Sequence, residues 1–120
     1  MKRNKSIPIF FYRSGNGKEP VREFLQELSV EEKKIVGTDL MVVQWRWPVG
    51  EPLVKNLGKS IYEVRSTLKN RIVRILFAQV FDKLVLLHAF IKKTQKTDWN
   101  RGKRFVNFLH TEKLLLKFFS

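Results

Sequence analysis

Four cationic side chains lie within or just after segments of strand composition, and their chemistry suits a phosphate group. Arg65 and Arg74 lie inside two apolar segments, while Lys92 and Lys93 end a third, in the stretch LLHAFIKKTQKT at residues 86–97. Arginine offers a planar fork that matches two phosphate oxygens, and lysine adds a mobile point charge. The combination predicts a phosphate clamp. Three further lysines adjoin the same strands, namely Lys55, Lys59 and Lys96.

Two interpretations of this cluster stay open at this level. In the simpler one, Glu63 pairs with Arg65 or Arg74 on a solvated sheet face, because surface ion pairs are common and contribute little stability. In the other, the cations hold a scissile RNA phosphate and stabilise its developing charge while the RNA's own 2′-hydroxyl attacks. Basic clusters on proteins bind RNA more often than they cleave it, so composition alone does not establish cleavage.

The sequence carries no pattern for other common chemistries. The absence of cysteine excludes disulfides, thiolate zinc sites and a cysteine nucleophile, and it fits a reducing compartment. There is no glycine-rich phosphate loop, no cluster of metal ligands and no Ser-His-Asp order. His88 and His110 are isolated, and the apolar surroundings of His88 favour a structural role. We therefore expect neither a metal nor a cofactor.

The formal charge of +13 is distributed unevenly. Residues 18–51 hold five basic and seven acidic side chains, a net charge of −2, whereas the rest of the chain holds nineteen basic and four acidic ones, a net charge of +15. Such a field attracts polyanions, of which nucleic acid is the commonest in a cytoplasm. No apolar run approaches the roughly 20 residues of a membrane span. The run at 7–12 is too short for a signal peptide. These features predict a cytoplasmic protein without membrane contact.

The first half of the chain predicts one strand and two helices. The segment IPIFFY at 7–12 has strand composition, with a proline that suits a sheet edge. Pro20 fits the first position of a helix, where its missing N–H costs nothing. Ser29 and Glu32 have the spacing of a capping box, which predicts the start of a second helix. Pro48 then marks its end.

The second half predicts three strands and a final helix. The segments 61–68, 72–81 and 84–91 are rich in β-branched and aromatic residues, and their short links require antiparallel neighbours. The third is apolar on both faces, which places it at the sheet centre with helices over one side. Apolar residues at helical spacing follow in 98–120. The sequence thus predicts a single α+β domain over 1–120 with the order β-α-α-β-β-β-α: an antiparallel sheet packed by a helical pair and a C-terminal helix.

Four segments, taken in order, resemble a known family. They are FYRSGNGKEPVREFLQEL, WPVGEPLVKNLGKSIYEVRS, RIVRILF and LLHAFIKKTQKT, and the resemblance extends over residues 9–97. In this order the chain resembles the phage-derived HigB branch of the RelE/ParE toxin superfamily. That branch has a Glu-Pro-Val helix start, a Glu-Leu-Arg strand and a terminal Leu-Leu-His-x-Phe-x-Lys-Lys-Thr-Gln-Lys-Thr motif. The Glu-Leu-Arg position is here Glu63-Val64-Arg65.

The resemblance implies a fold, an activity and a partner. It implies a RelE-like fold and a toxin of a type II toxin–antitoxin module, which cleaves mRNA on the ribosome without a metal. The implied partner is a small helix-turn-helix antitoxin of the HigA kind. On matching positions the implied catalytic residues are Arg65, Arg74, Lys92 and Lys93, with the arginines holding the phosphate and a lysine donating a proton. The implied RNA-binding residues are Lys55, Glu63, His88, Phe90 and Lys96, and the charge cluster adds Lys59.

The chain departs from this family after residue 97. The family continues with a proline and a polar, charge-rich helix, whereas residues 97–120 are basic and apolar, with helical spacing from Phe105 to Phe119. We expect this tail to bury one face, either on the sheet of a monomer or in a dimer. Two alternative functions remain: a decayed toxin that binds RNA or the ribosome without cleavage, and a gyrase inhibitor of the ParE type, because shared fold does not determine the target.

Overall fold

A computed structural model describes residues 6–92, in which two helices pack against one five-stranded sheet. The strand order across the sheet is β1-β5-β4-β3-β2. The predicted tail helix and tail dimer contact, together with Lys93 and Lys96, lie outside the described residues. The elements in chain order are β1 (Ile9–Phe11), α1 (Pro20–Gln26), α2 (Val30–Arg46), β2 (Val54–Gly58), β3 (Ile61–Thr67), β4 (Ile72–Val80) and β5 (Lys83–Lys92).

Both helices begin where the sequence predicts, and α2 also ends there. Pro20 is the first residue of α1. At the start of α2 the Ser29 hydroxyl accepts a hydrogen bond from the Glu32 N–H at 3.2 Å, and the Glu32 carboxylate accepts one from the Ser29 N–H at 3.1 Å. The capping box is therefore confirmed, and α2 ends at Arg46, two residues before Pro48. Within the described part of the chain, neither helix has the length and apolar character needed to span a membrane.

The two predicted hairpins are confirmed. β3 pairs antiparallel with β4, and β4 pairs antiparallel with β5. The second link is a two-residue turn, since Val80 is paired with Lys83. β5 is an interior strand, as its apolar faces predicted, but it lies between β1 and β4, so that β4 is the middle strand. The difference arises because a further strand, β2, joins the sheet on the far side of β3.

Two predictions about the sheet are wrong. The sheet is mixed rather than antiparallel, because β1 runs parallel to β5, with Phe10 opposite Val85. Both helices lie in the crossover between these strands, which is the long connection that parallel pairing requires. The predicted order also omitted β2, whose sequence VKNLG is short and contains Asn and Gly, two residues that are depleted in strands.

The helices cover one face of the sheet, which we call the helix face; the opposite one is the second face. Side chains of α1 and α2 pack with Val64, Ile75 and Phe77 in one apolar core. Trp47, directly after α2, meets the rings of Tyr62 and Phe77 edge to face, at centroid distances of 4.8 and 5.4 Å. Edge contacts of this kind add to the free energy of apolar burial. Strand alternation then sends Glu63 and Arg65 to the second face.

A charged contact ties the start of α2 to the start of β4. Arg71 donates a hydrogen bond to the Glu32 carboxylate at 2.8 Å. The pKa of Glu32 is lowered from its ordinary value, first by the hydrogen bond from the Ser29 backbone and then by Arg71. The lowered pKa means that the folded state binds the proton of the Glu32 carboxyl group more weakly than the unfolded chain does. Glu32 therefore stabilises the fold at pH values above its unfolded pKa. That stabilisation disappears as the pH falls through the lowered folded pKa.

We therefore expect Glu32→Gln to lower the free energy of unfolding at neutral pH but not below the folded pKa of Glu32. Glutamine still serves in a capping box, so the substitution isolates the charge. Urea unfolding of both proteins at neutral and acidic pH measures the difference. Glu31→Gln, an exposed neighbour in the same helical turn, is the matched control and should show a smaller difference. A Glu32→Gln deficit that stays constant across this pH range would contradict the explanation.

Candidate functional site

The second face brings the predicted arginines together. Arg65 on β3 is directly opposite Arg74 on β4, and Arg74 is opposite Phe90 on β5. These three residues therefore form one row across adjacent strands, with side chains on the same face. Lys55 on β2 is opposite Glu63, which extends the cluster to a fourth strand. The cluster is thus a product of strand register, because its members are distant in the sequence.

A buried carboxylate links the two arginines. Glu63 Oε1 accepts a hydrogen bond from Arg74 Nη1 at 2.8 Å and one from Arg65 Nε at 3.0 Å. The side chains of Glu63 and Arg74 have no exposed surface. A charge in such surroundings is tolerated only when it is paired and hydrogen-bonded. The ion pair between Glu63 and the arginines, one of the two readings of the sequence, is therefore present, but it is buried rather than solvated.

Arg65 differs from Arg74 in its access to solvent. Its side chain retains 17% of its exposure. Its Nε faces Glu63, while Nη1 lies 3.9 Å from a carboxylate oxygen of Glu51. Because Glu63 holds the Nε edge, the terminal nitrogens extend beyond the buried pair toward Glu51, whose side chain is 65% exposed. Of the two arginines, Arg65 is the one that an external anion can reach.

Two aromatic rings complete the central part of this face. His88 and Phe90 lie two residues apart on β5, and their rings stack at a centroid distance of 5.7 Å. His88 is half-buried and Phe90 is buried. Leu76, between His88 and Glu63 in the register, is buried as well. The charged network is therefore bordered by apolar and aromatic surface on its β5 side.

The lysines divide into three groups. Lys92, opposite Ile72, shares the second face with Arg74 and Phe90. Lys55 is half-buried beside Glu63. Lys59 lies in the turn before Ile61, at the other end of β3, so the structure does not bring it to the arginines. At ~3.3 Å per residue, Ile61 alone is roughly 13 Å from Arg65 along the strand. Lys93 and Lys96 remain predictions, since they follow the last described residue.

Sequence reasoning missed Glu51 as a neighbour of the site. It follows Gly50 in the loop between α2 and β2, and no periodic pattern marks it. Its proximity to Arg65 depends on the pairing of β2 with β3, which the sequence did not indicate. Among residues 6–92, no three side chains of the metal-ligating types lie close enough together to hold a metal ion. The arrangement can bind and orient an anion through Arg65.

We expect Glu63→Gln to destabilise the protein strongly, because it removes the negative charge between two guanidinium groups. Breaking a buried ion pair costs on the order of 3–5 kcal/mol. The paired substitution Glu63→Met with Arg74→Met should cost less than Glu63→Gln alone, since it removes both buried charges. Urea unfolding of the single and double variants tests this expectation. Glu51→Gln is the control and should change the free energy of unfolding by less than about 1 kcal/mol. A Glu63→Gln variant as stable as the control would contradict the prediction.

Comparison with known proteins agrees with the resemblance in the sequence. A search of curated proteins gave no match. A family model described as "Phage derived protein Gp49-like (DUF891)" matches residues 23–102, two thirds of the chain. The matched part includes the arginine row, the buried carboxylate and the Lys-Lys-Thr-Gln-Lys-Thr motif. The chain therefore belongs to the Gp49-like family of phage-derived proteins, a family of RelE/HigB-like toxins.

Proposed function

We propose that the protein is the toxin of a type II toxin–antitoxin module and cleaves mRNA on the ribosome without a metal ion. Two things support the proposal: membership of the Gp49-like family, and the row formed by Arg65, Arg74 and Phe90 on the second face. The row is the observation that most strongly supports the proposal. It pairs an accessible guanidinium with a buried one that holds it in place through Glu63.

The proposed reaction uses the nucleophile that RNA already contains. The 2′-oxygen loses its proton to water and attacks the adjacent phosphorus, a new O–P bond forms, and the bond to the 5′-oxygen of the next nucleotide breaks. The leaving 5′-oxygen takes up a proton, and the products are a 2′,3′-cyclic phosphate and a 5′-hydroxyl. Negative charge accumulates on the phosphate oxygens during this step. Donors fixed in advance at those oxygens stabilise the transition state.

The two arginines take different roles in this proposal. Arg65 contacts the phosphate through its terminal nitrogens, because its Nε is held by Glu63 and its side chain keeps some exposure. Arg74 is buried and acts through Glu63, so it is a positioning residue. A guanidinium keeps its proton at any pH near neutrality and cannot act as a general acid. A lysine can, which leaves Lys92, Lys93 or Lys96 to protonate the leaving oxygen.

We expect Arg65→Ala to lower the single-turnover rate of cleavage of ribosome-bound mRNA by roughly 100- to 1,000-fold, by analogy with the loss of one oxyanion donor. Arg65→Lys should restore only part of the rate, because lysine lacks the two-pronged fork. The matched control is Lys34→Ala, which removes an exposed charge from α2. Full activity of Arg65→Ala would exclude this site.

A second experiment separates binding from proton donation. Lys92→Arg keeps the positive charge but removes a group able to release a proton, so it should bind RNA well and cleave slowly. The same substitution at Lys93 and Lys96 identifies which lysine is the acid. Binding is followed by anisotropy of a labelled RNA, and cleavage by single-turnover kinetics. If all three variants cleave at the wild-type rate, the lysines contribute charge alone.

The burial of Arg74 favours one alternative, a protein that binds RNA or the ribosome without cleaving it. Its guanidinium already faces Glu63 and has no exposed surface, as in a purely structural ion pair. Expression in cells distinguishes the candidates. Growth arrest with cut transcripts supports the nuclease, and retained RNA binding without arrest supports the alternative. Arrest with broken DNA supports the gyrase inhibitor.

We further propose that the protein belongs to the HigB branch of these toxins and that it has a paired antitoxin. A small helix-turn-helix protein, encoded next to this chain, would neutralise it. Co-expression of that neighbour should restore growth. Failure of every adjacent reading frame to do so would count against the module.

A further inference from the structure

An aromatic side chain occupies a turn position that glycine normally fills. Phe81 and Asp82 form the two-residue turn between β4 and β5. The φ of Phe81 is +56°, and Asp82 is not among the residues with positive φ. A positive φ at the first central position alone is the pattern of a type II′ turn, where glycine is preferred. A bulky residue in this conformation is a genuine outlier.

The strained position does not serve to bury the ring. The side chain of Phe81 is 65% exposed, so the conformation directs a large apolar surface toward solvent. An asparagine or glycine would form the same turn without strain. Strained residues of this kind cluster at sites that bind or switch, because surrounding structure must hold them there. Among residues 6–92, the ring of Phe81 belongs to neither of the two apolar core clusters.

Other strained and charged groups surround this turn. The turn between β2 and β3 lies at the same end of the sheet, since the Gln79 N–H donates to the Ser60 carbonyl at 3.0 Å. Lys59 and Ser60 have φ values of +53° and +65°. Phe10, 48% exposed on β1, has the ammonium group of Lys83 5.7 Å from its ring centroid. We call this end, formed by residues 58–60 and 81–83 with Phe10, the hairpin end.

We propose that the hairpin end binds single-stranded RNA, with an unpaired base stacked on Phe81 and phosphates near Lys59 and Lys83. Exposed rings interleaved with cations are the combination that single-stranded nucleic acid binds, because every base has a π face and every linkage a charge. Asp82 adds one carboxylate, so the two lysines leave a positive balance. The net charge of +13 attracts a polyanion, and the exposed ring of Phe81 favours RNA over an acidic peptide because bases stack on aromatic rings.

The inference rests on the proposed function only in its choice of RNA as the ligand, and the two sites are separate. Lys83 and Phe10 share the second face with Arg74, because Phe10 is opposite Val85 and Lys83 is opposite Val80. Val80 lies six positions after Arg74 along β4, or roughly 20 Å at ~3.3 Å per position. The arginine row would hold the reacting phosphate, and the hairpin end would hold a base some distance from it.

The test measures the affinity for a short unstructured RNA, oligouridylate, by fluorescence anisotropy, together with thermal unfolding. Phe81→Gly removes the ring and relaxes the positive φ. We expect about tenfold weaker binding, the usual effect of losing one stacked base, with a midpoint of unfolding no lower than that of the wild type. Phe81→Tyr keeps the ring and should keep the affinity. The matched control is Ile35→Ala, which removes an exposed apolar side chain from α2, outside the hairpin end.

Each outcome decides the inference separately from the proposed function. Unchanged affinity in Phe81→Gly overturns it, and so does an equal loss of affinity in Ile35→Ala. If Arg65→Ala abolishes cleavage while Phe81→Gly binds like the wild type, the nuclease stands and the hairpin end is not an RNA site. If the wild type does not cleave but Phe81→Gly alone loses affinity, the RNA site stands and the nuclease does not.

Discussion

The hydrogen bonds from Arg65 and Arg74 to one oxygen of Glu63 are the constraint on which the site depends. Removing three charges from water is costly, and their mutual attraction repays this cost only with good geometry. That geometry requires β3 and β4 to pair in a single register. A slip of one residue would send Glu63 to the helix face and leave Arg74 on the second face. The network of Glu63, Arg65 and Arg74 therefore favours one register between β3 and β4 and orients the guanidinium of Arg65. Its net contribution to the free energy of unfolding is smaller than these effects.

The two faces of the sheet separate packing from anion binding. On the helix face, apolar side chains and the rings of Trp47, Tyr62 and Phe77 form a core in which the strands have little freedom. Because that face holds the strands rigidly, the second face can carry side chains whose mutual repulsion would otherwise separate them. The acidic helices offset part of the positive charge of the chain, for example where Glu32 pairs with Arg71. A rigid backbone beneath a charged surface is what transition-state stabilisation by fixed donors requires.

The sequence predicted what depends on neighbours along the chain. The capping box at Ser29, the helix start at Pro20 and both hairpins follow from residues a few positions apart, and all are confirmed. Alternation also assigned Glu63 and Arg65 to one face. It did not predict that Glu63 is fully buried, because burial depends on what packs above a strand, and alternation describes only direction. The contact of Glu51 with Arg65 was missed for a related reason, since it requires the unpredicted strand β2.

The parallel pairing of β1 with β5 has a consequence for the order in which the chain assembles. Ile9 is paired with Leu84, 75 positions later, whereas β2 to β5 pair with sequence neighbours. Contacts of high sequence separation pay a larger loop-closure entropy, so local hairpins form first. During synthesis, β1 leaves the ribosome before β5, because its partner is made only after both helices. The N-terminal strand therefore waits unpaired until the meander is complete, and its docking on β5 is the step that closes the sheet.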